Sequence, residues 1–583
     1  MYRYRIQFSK FFALKNRGVW YFYNHNHLML SNKEVSKLFK TLCGLMELHG
    51  ENDFKTKSYA NAAFQIGRIH EPVMEMDPAI LEKQPGVGKS VFAKIMELRE
   101  TGTMQALEEY MQITPPGLIE ILNIKGLGGK KVGSIWRDLG IESVGELLYA
   151  CYENRLAKLK GFGEKTQESV IQSIEYYQNN LGKFHYAAVA DEADEIEAYL
   201  KTTLGEKVSL CGAIRRKCNI VDQLELICSD QYAIHDQLEK LTFIRETSAL
   251  PSFISGVTES GLRIGIHVVP EEEYYYALFL KTGSEQHTQH IVAKLNGKKH
   301  FNSEKDIYAT AGMEYILPEL REDDMELLPG GYHELINEAD IRGVVHNHST
   351  WSDGKNTVAQ MAEACKKSGF EYFVISDHSK TAVYAGGLSE ESIAAQQKEI
   401  DALNAADPAF KIYKSIECDI LNDGTLDYAD DILRSFDLVI TSVHQNLKMD
   451  EEKATARLLR AIENPYTTIL GHMTGRLLLS RPGYPVDHKK IIEACAANQV
   501  VIEINANPYR LDIDHTHIPY ALKKGVMISI NPDAHSVDGI NDIRWGVISA
   551  RKGGLTRNMT WNALSRTEVD NWLLERKKKK GIL

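Results

Sequence analysis

The chain has 583 residues, far more than one hydrophobic core normally supports, so about three or four domains are expected. Its 43% hydrophobic and 25% charged residues are typical of a folded globular protein. A formal net charge of -11 argues against a chain that coats nucleic acid indiscriminately, but it allows a basic patch on one domain. The eight scattered cysteines lack paired spacing and suggest reduced thiols in a cytoplasmic protein, and no apolar run suggests export or a membrane span.

Three similar glycine turns interrupt a helical pattern that runs from about Asn32 to Gly182. A G-x-G turn that opens a helix presents free N–H groups at the positive dipole end, where a phosphate can bind. One copy is more simply a turn, but three copies within about 80 residues predict helix-hairpin-helix modules that hold a nucleic-acid backbone. The predicted DNA-contacting residues are Gly86, Gly88, Lys89, Gly126, Gly128, Lys130, Gly161, Gly163 and Lys165.

The pattern becomes mixed after about Lys183 and changes again near Pro329-Gly330-Gly331. Strand-like runs in the mixed region are Val208–Cys211, Leu224–Cys228 and Leu262–Val269. From Ile341 onward strands and helices alternate, which predicts βα units around a parallel sheet. The predicted strands of this last region are Gly343–Val345, Tyr372–Ile375, Ile412–Ile416, Leu438–Thr441, Thr468–Leu470, Val500–Ile504 and Met527–Ile530.

Six of these seven strands run directly into residues that commonly bind metals. The candidate ligands are His346, His348, Asp353, His378, Glu417, His444, His472, Asp533 and His535. An isolated histidine after a strand is more often a core or surface residue, but repetition at six strand ends is hard to obtain from unrelated roles. In β/α barrels the carboxyl ends of the strands meet at one rim, so these side chains are expected to share one pocket.

Nine ligands exceed the needs of one ion and predict two or three divalent metals. Imidazole and carboxylate without thiolate favour manganese or zinc, with iron as a further candidate, over magnesium or calcium. Such a cluster activates water and stabilises the attacking and leaving oxygens of a phosphoryl group. The sequence therefore predicts a metal-dependent phosphoesterase.

The segments HNHSTWSDG, SDHS, SIECDILNDGTLDY, SVHQN, GHMTGRLL and PDAHS resemble the PHP (polymerase and histidinol phosphatase) family. The resemblance implies a distorted (β/α)7 barrel with three metals. The first would be held by His346, His348, Glu417 and Asp533, the second by Glu417, His444 and His472, and the third by Asp353, His378 and His535. The residues assigned catalytic roles are Glu417, Asp533, His378 and Arg476. Arg476 suits either the substrate phosphate or a structural salt bridge, and Asp377, Asp419 and Asn505 are candidates to orient ligands.

Nearly the whole chain after residue 31 resembles the bacterial family X DNA polymerases, through CGAIRR, LRIGIHVVP, ALFLKTGSEQH and ILPELRE as well as the barrel motifs. The implied fold is multidomain α+β and α/β. The expected divisions are an N-terminal extension that is disordered or a start-site artefact (1–30), a helical lyase-like domain (31–108), a fingers-like helix-hairpin-helix domain (109–182), a polymerase beta-like palm and thumb (183–325), a linker (326–340), the PHP domain (341–575) and a solvated tail (576–583).

The polymerase site departs from its family pattern. Aligned through Arg215-Arg216, the three family aspartates fall on Gln223, Glu225 and Gly265, and one carboxylate cannot hold two magnesium ions. Asp222 lies one residue out of phase and would face the other side of the strand. Because the phosphate-loop serine and the aromatic pair are also replaced, by Ala213 and by Leu280-Lys281, loss of nucleotide transfer is expected.

The resulting hypothesis is a DNA repair or processing enzyme, a 3′→5′ exonuclease that could also cut abasic sites or trim 3′ ends. Single-stranded, gapped or damaged DNA is the expected partner, with no membrane, a cytoplasmic location and an open oligomeric state in which a monomer is favoured. The alternatives are a phosphomonoesterase for a small metabolite resembling histidinol phosphatase, a non-catalytic DNA-binding scaffold, and an active gap-filling polymerase. Lys94 falls on the Schiff-base lysine of the family's lyase domain, although a lone helix lysine is usually solvated.

Overall fold

The computed structural model describes residues 30–69, 71–232, 234–236, 241–258, 260–322 and 334–583. The N-terminal extension, apart from residue 30, and the Pro329-Gly330-Gly331 boundary lie outside the described residues. The chain divides into two compact units, Met1–Leu181 and Gly182–Leu583. In the part of the chain that is described, no helix combines the length and apolar character needed to cross a membrane.

The described part of the first unit is helical, as its three- and four-residue apolar spacing predicts. Its helices are α1 (Asn32–Leu48), α2 (Asp53–Ile66), α3 (Pro78–Leu81), α4 (Lys89–Thr101), α5 (Gln105–Ile113), α6 (Pro116–Leu122), α7 (Gly129–Leu139), α8 (Val144–Tyr152) and α9 (Glu164–Asn180). Capping boxes at Ser31 and Ser143 fix the starts of α1 and α8.

The second unit begins with a two-stranded antiparallel sheet and a larger mixed sheet. The strands of the small sheet are β1 (Phe184–His185) and β3 (Ile220–Val221). Those of the larger sheet are β2 (Val208–Cys211), β4 (Gln223–Ser229), β5 (Arg245–Leu250), β6 (Phe253–Val257) and β7 (Arg263–Val269). The main sheet has the order β2-β4-β7-β6-β5, in which β4 and β7 run parallel and the other neighbours antiparallel. The three predicted strands of this region are confirmed to within one residue at each end. The accompanying helices are α10 (Tyr186–Thr203), α11 (Gly212–Arg215), α12 (Tyr274–Thr282), α13 (Glu285–Val292) and α14 (Glu304–Thr310).

Parallel strands and helices alternate in the rest of the second unit. The strands are β8 (Gly343–Val344), β9 (Tyr372–Ile375), β10 (Lys411–Lys414), β11 (Glu417–Asp419), β12 (Val439–Ser442), β13 (Thr467–Leu470), β14 (Val501–Asn505) and β15 (Ile528–Asn531). The helices are α15 (Val358–Lys367), α16 (Glu390–Ala406), α17 (Asp430–Arg434), α18 (Glu451–Glu463), α19 (His488–Asn498), α20 (Ile518–Lys523), α21 (Ile543–Lys552) and α22 (Arg566–Lys580).

These strands form the expected distorted barrel from two parallel sheets, ordered β10-β9-β8 and β11-β12-β13-β14-β15. A bridge between Asn347 and Ala534 closes one seam, and a bridge between His378 and Glu417 closes the other. The third predicted strand, Ile412–Ile416, is broken, since β10 pairs with β9 whereas β11 pairs with β12. Counting β10 and β11 as one interrupted strand gives the seven strands of the prediction.

The barrel interior is apolar at the amino ends of its strands. Buried side chains from strands all round the barrel contact one another there, namely Val345, Tyr372, Val374, Tyr413, Leu438, Ile440, Ile469 and Val501. Trp561 and two residues of α22, Val569 and Leu573, close this end. The opposite, carboxyl end carries the candidate ligands, so the packed apolar core of the barrel is separate from its polar rim.

The prediction that Arg576–Lys580 forms a frayed, solvated helix end is wrong for Arg576 and Lys577, whereas Lys578 and Lys579 are exposed. Helix α22 continues to Lys580, and the Arg576 side chain is buried. Its guanidinium donates to the carbonyl oxygens of Gln499 at 3.0 Å and Pro465 at 3.2 Å. Lys577 donates to the Phe436 carbonyl at 2.8 Å. A run of basic residues resembled a solvated helix end, but long cationic side chains also satisfy carbonyls at strand starts.

Candidate metal centre

All nine predicted ligands lie at the carboxyl rim of the barrel. His346, His348 and Asp353 follow β8, and His378 follows β9, while the remaining ligands follow or lie within β11, β12, β13 and β15. His346 and Asp533 adopt φ of +64° and +53°, values that non-glycine residues rarely take. Such conformations persist where the surrounding structure requires them, and they are common at functional sites.

Glu417 lies at the middle of this rim and is completely buried. Its Oε1 lies 2.9 Å from Nε2 of His472 and 3.2 Å from Nε2 of both His346 and His444. Its Oε2 lies 2.9 Å from Nδ1 of His378. One carboxylate therefore contacts imidazoles that come from four different strand ends, which is the arrangement expected of a bridging ligand.

A second cluster surrounds Asp353. Its Oδ1 lies 3.4 Å from Nε2 of His535, 3.6 Å from Nε2 of His378 and 4.0 Å from Nδ1 of His348. His348 is shared with a third group, because its Nε2 lies 3.1 Å from Oδ1 of Asp533. The clusters are thus joined through common side chains.

The donor atoms suit metal ions. Three sets of side chains each bring their donor atoms within 4.8 Å of one another, namely His348, Asp353, His378 and His535; His346, His348 and Asp533; and His378, Glu417 and His444. Among the described residues, Nε2 of His346, Nδ1 of His348 and Oε2 of Glu417 are buried without a hydrogen-bond partner. Atoms about 3 Å apart but not aligned for hydrogen bonding fit two ligands that each lie about 2.1 Å from one ion.

The three sets match the metal assignments implied by the family resemblance only in part. The Asp353 set contains all three implied residues and adds His348. The His346 set lacks Glu417, and the Glu417 set contains His378 instead of His472. His472 nevertheless lies within contact distance of Glu417, so the nine residues still form one continuous cluster.

The buried carboxylates and imidazoles of the cluster shift one another's pKa values. Burial alone would raise the pKa of the Glu417 carboxyl, but His444, His346 and His378 hold it well below its usual value. Burial lowers the pKa of His444, yet Glu417 and Asp419 outweigh it and raise that pKa to about 10. Burial, followed by His535 and His378, lowers the pKa of His348 to about 3. Charged carboxylates that draw a proton onto a buried imidazole would also attract divalent cations, which bind neutral imidazoles.

The three residues expected to orient ligands occupy different positions. Asp419 accepts a hydrogen bond from Nδ1 of His444, and Asn505 donates to Oδ2 of Asp533 at 3.0 Å. Asp377 contacts no ligand side chain directly but accepts from the backbone and hydroxyl of Ser349, each at 2.7 Å. It therefore braces the loop that carries His348.

Glu503 belongs to this outer layer and was missed in the sequence. It is buried in β14, and its Oε2 accepts from Nδ1 of His346 at 2.6 Å and from Asn531 at 2.7 Å. Its Oε1 accepts from the backbone N–H of His472 at 2.9 Å and from Asn505 at 3.2 Å. The available signal was a single glutamate inside an otherwise apolar strand, since a carboxylate in such a place needs buried partners.

Arg476 makes the contacts expected of its structural alternative, and its role in binding the substrate phosphate stays a prediction. Its guanidinium donates to the Arg510 carbonyl at 2.9 Å, to Asp514 at 2.6 Å and to the Leu511 carbonyl. These bonds engage all three guanidinium nitrogens and hold the loop that carries Arg510. The Arg510 side chain points to the metal cluster, with Nε 3.7 Å from Oδ2 of Asp533.

The three glycine turns of the first unit have one backbone geometry. Gly86, Gly126 and Gly161 have φ of +80°, +89° and +90°, so each first glycine occupies a conformation that other residues avoid. The second glycine of each turn, Gly88, Gly128 and Gly163, is the N-cap of α4, α7 and α9, and no side chain caps these helix starts. A Cβ at any of these N-cap positions would meet only open space. The N–H groups are therefore accessible to an external acceptor.

The chain matches three families of known domains over much of its length. Residues 30–104 match the "Helix-hairpin-helix domain", residues 118–175 the "SAM-like Helix-hairpin-helix tandem" and residues 345–507 the "PHP domain". The "DNA polymerase/3'-5' exonuclease PolX" of Bacillus subtilis is 35% identical over 93% of this chain and 99% of its own length. The chain belongs to the PolX family. It is accordingly a metal-dependent hydrolase with DNA-binding domains.

Two further similarities cover parts of this PolX chain. DNA polymerase lambda of Rattus norvegicus is 24% identical over 51% of the chain and 54% of its own length. A probable phosphatase of Thermoanaerobacter sp. (strain X514) is 27% identical over 40% of the chain and 96% of its own length. The polymerase and phosphoesterase similarities are thus each partial, whereas the PolX relative covers both.

The structure of the palm agrees with the replacement of the three family aspartates that the sequence indicates. Glu225 on β4 lies directly opposite Gly265 on β7, as the alignment with the family predicts. The Glu225 carboxylate lies 3.5 Å from Nε2 of His267. A Cβ at position 265 would lie 2.8 Å from the Phe253 ring, so an aspartate does not fit there unless that ring moves. Asp222 is exposed and its carboxylate pairs with Arg263.

The lysines predicted in the first unit differ in their surroundings. Lys89 and Lys165 are exposed, whereas Lys130 forms an ion pair with Asp53 at 2.7 Å. Lys94 is partly buried in α4, with Nζ 5.9 Å from the centre of the Tyr59 ring. The roles of these lysines in DNA binding and in lyase chemistry remain predictions.

Proposed function

We propose that this protein is a divalent-metal-dependent 3′→5′ exonuclease that acts on DNA through its PHP barrel. The observation that carries the proposal is the convergence of nine histidine and carboxylate ligands around buried Glu417. A phosphoesterase centre on a chain with three helix-hairpin-helix turns is matched to a polynucleotide. The match to the Bacillus subtilis relative covers almost the entire length of both proteins, and the name of that relative supports DNA as the substrate and 3′→5′ as the polarity.

The nine residues would hold two or three ions, for which manganese or zinc is the best match and iron a further candidate. His346, His348 and Asp533 supply one set of donors, and Asp353, His378 and His535 supply another. Glu417, His444 and His472 form the part of the cluster that links the two. When bound, the ions supply a Lewis acid that activates water and neutralises charge on the leaving oxygen.

Side chains of the protein bind the substrate and orient the ligands. Arg510 contacts non-bridging phosphate oxygens, because it is the arginine whose guanidinium approaches the cluster. Arg476 keeps the backbone of that loop in place. Asp419 and Glu503 accept hydrogen bonds from the ring nitrogens of His444 and His346 that face away from Glu417, which fixes both imidazoles.

The hairpins hold the DNA backbone. Phosphate oxygens accept hydrogen bonds from the uncapped N–H groups that follow Gly88, Gly128 and Gly163, and these contacts do not read the base sequence. The proposed substrates are single-stranded, gapped or damaged DNA. The proposed reactions also include cleavage at abasic sites and trimming of 3′ ends. A role in DNA repair, a monomeric state and a cytoplasmic location complete it.

We propose that the protein does not polymerise nucleotides. Two magnesium ions need several short carboxylates, and the one carboxylate that remains among the three aligned positions, Glu225, is paired with His267. The arginines of the loop that binds phosphate in the family are engaged as well. Arg215 pairs with Glu304 at 2.6 Å, and Arg216 pairs with Glu322 at 3.2 Å.

The test is release of nucleotides from a 3′-labelled oligonucleotide in manganese. His346→Ala with His348→Ala is expected to abolish release, whereas His300→Ala, which removes an exposed histidine outside the cluster, is expected to leave it unchanged. Undiminished release by the double variant would exclude the barrel as the catalytic centre.

The second candidate is a phosphomonoesterase for a small metabolite, which the similarity to the probable phosphatase favours. It predicts hydrolysis of small phosphate esters and no retention on single-stranded or gapped DNA. A non-catalytic scaffold, the third alternative, predicts no bound metal in elemental analysis of the purified protein.

A further inference from the structure

A loop at residues 379–388 connects the metal ligand His378 to helix α16. The backbone N–H of Leu388 donates to the His378 carbonyl at 2.9 Å, so the loop returns to the residue from which it leaves. Within it, the N–H of Gly387 donates to the Ala382 carbonyl at 3.1 Å. A Cβ at Gly387 would lie 1.8 Å from the Ser379 carbonyl oxygen, so the two ends pack too closely for any other residue.

The flanks of the 379–388 loop are fixed to the barrel. The N–H of Thr381 donates to Asp427 at 2.8 Å, and its hydroxyl oxygen lies within hydrogen-bond distance of both Asp419, at 2.7 Å, and Asp427, at 3.0 Å. Gln445 donates to the Thr381 carbonyl at 2.7 Å. The Tyr428 hydroxyl donates to the Leu388 carbonyl at 2.5 Å. The loop is therefore held on both sides without any contribution from its tip.

The tip of this loop is apolar and exposed. Val383 is 81% exposed and Tyr384 is 61% exposed, although both belong to a short 3-10 turn of fixed backbone. The Tyr384 ring centre lies 6.2 Å from that of His378.

We propose that Tyr384, with Val383 beside it, forms the surface on which the base of the 3′-terminal nucleotide stacks while its phosphate lies at the metal cluster. This inference rests on the proposed exonuclease function. The Tyr384 ring is the direct neighbour of the ring of the metal ligand His378. The separation between these two rings is comparable to that between the phosphate and the base within one nucleotide. Stacking accepts every base because each presents a π face, so the centre would select a polynucleotide end without reading its sequence.

A rigid loop makes this role physically reasonable. Because the flanks are already ordered, stacking on Tyr384 orders only one side chain and leaves most of the contact energy for binding. Loss of one base-aromatic stack is expected to weaken substrate binding by about 10-fold. The effect should fall on KM more than on kcat, since Tyr384 is not a metal ligand.

The experiment compares the full-length protein with Tyr384→Ala, Tyr384→Phe and Leu574→Ala, in manganese. Leu574 is an exposed apolar residue on α22, at the opposite end of the barrel. Each protein is assayed on a single-stranded oligonucleotide, on the same strand with an abasic 3′-terminal nucleotide, and on one with an abasic penultimate nucleotide. Tyr384→Ala is expected to raise the KM for the intact strand about 10-fold. Its KM for the strand with the abasic 3′-terminal nucleotide is expected to equal that of the wild type. Tyr384→Phe and Leu574→Ala are expected to match the wild type.

The outcomes are distinguishable. An equal loss on intact and terminal abasic strands would mean that Tyr384 supports the centre structurally, and it would overturn the stacking role. A dependence that disappears only with the penultimate abasic nucleotide would overturn the assignment to the terminal base. No change in Tyr384→Ala on any strand would also overturn it. Absence of nucleotide release by the wild type would overturn the exonuclease itself, and the stacking role with it.

Discussion

Replacement of Glu503 by glutamine tests the outer layer of the metal centre. The substitution keeps the size of the side chain but converts one carboxylate oxygen to an NH2 group and removes the charge. All four partners of Glu503 are N–H donors, two on each oxygen. In either orientation the new NH2 group therefore faces N–H groups, and Nδ1 of His346 or the backbone of His472 loses its acceptor.

The expected magnitude follows from this geometry. Loss of an outer partner of a metal-binding imidazole typically weakens metal affinity or activity by about 10- to 100-fold. That range corresponds to about 1.4 to 2.7 kcal/mol. Glu503→Gln should therefore need about 10- to 100-fold more manganese for half-maximal nucleotide release, while the global fold is retained.

The assay is a manganese titration of exonuclease activity after chelator treatment, with bound metal measured in parallel. Glu493→Gln is the matched control, because Glu493 is a partly exposed glutamate on α19 that pairs with Lys524. An unchanged manganese requirement in Glu503→Gln would refute the role of Glu503 in holding His346.

Three further predictions concern the rest of the chain. Gly128→Ser should leave the melting temperature unchanged or higher, because serine is a good N-cap, but weaken DNA binding in a salt-titrated assay, because its hydroxyl occupies the N–H groups meant for phosphate. Gly265→Asp, combined with Gln223→Asp and Glu225→Asp, should give no primer extension and should destabilise the palm by about 1–3 kcal/mol through its clash with Phe253. Burial would raise the pKa of Glu322, but Lys552 and Arg216 lower it from 4.5 to about 2. The contribution of Glu322 to the stability of the fold is therefore present above pH 4.5 and is lost as the pH falls toward 2. Between these limits the wild type should lose about 3 kcal/mol more stability than Glu322→Gln, as measured by thermal melts at several pH values.

The strand-end rule accounts for the success of the sequence prediction at the barrel. Parallel strands place their carboxyl ends on one rim, so His346, His378 and His472 could be grouped without knowing a single contact. The glycine turns were found for a similar reason, since φ near +90° at Gly126 and Gly161 leaves a trace in residue type. Both signals are local in sequence.

The features that sequence did not reveal depend on long-range partners. Glu503 lies inside a strand rather than at its end, so the rule overlooked it. Arg476 and Arg510 are both arginines near ligand motifs, and only the contacts of Arg476 with the Arg510 and Leu511 carbonyls separate their roles. Arg576 illustrates the same difficulty, because its buried carbonyl partners come from other elements of the barrel. The break between β10 and β11 is also set by pairing with different neighbours.

The central claim is that the barrel is the sole catalytic centre and hydrolyses DNA from the 3′ end. The most direct measurement follows a 5′-labelled primer on a gapped template with manganese and all four deoxynucleoside triphosphates, for the wild type and Glu417→Gln. We predict that the wild type shortens the primer stepwise and never lengthens it, and that Glu417→Gln leaves it intact. Lengthening of the primer, or shortening by Glu417→Gln, would contradict the claim.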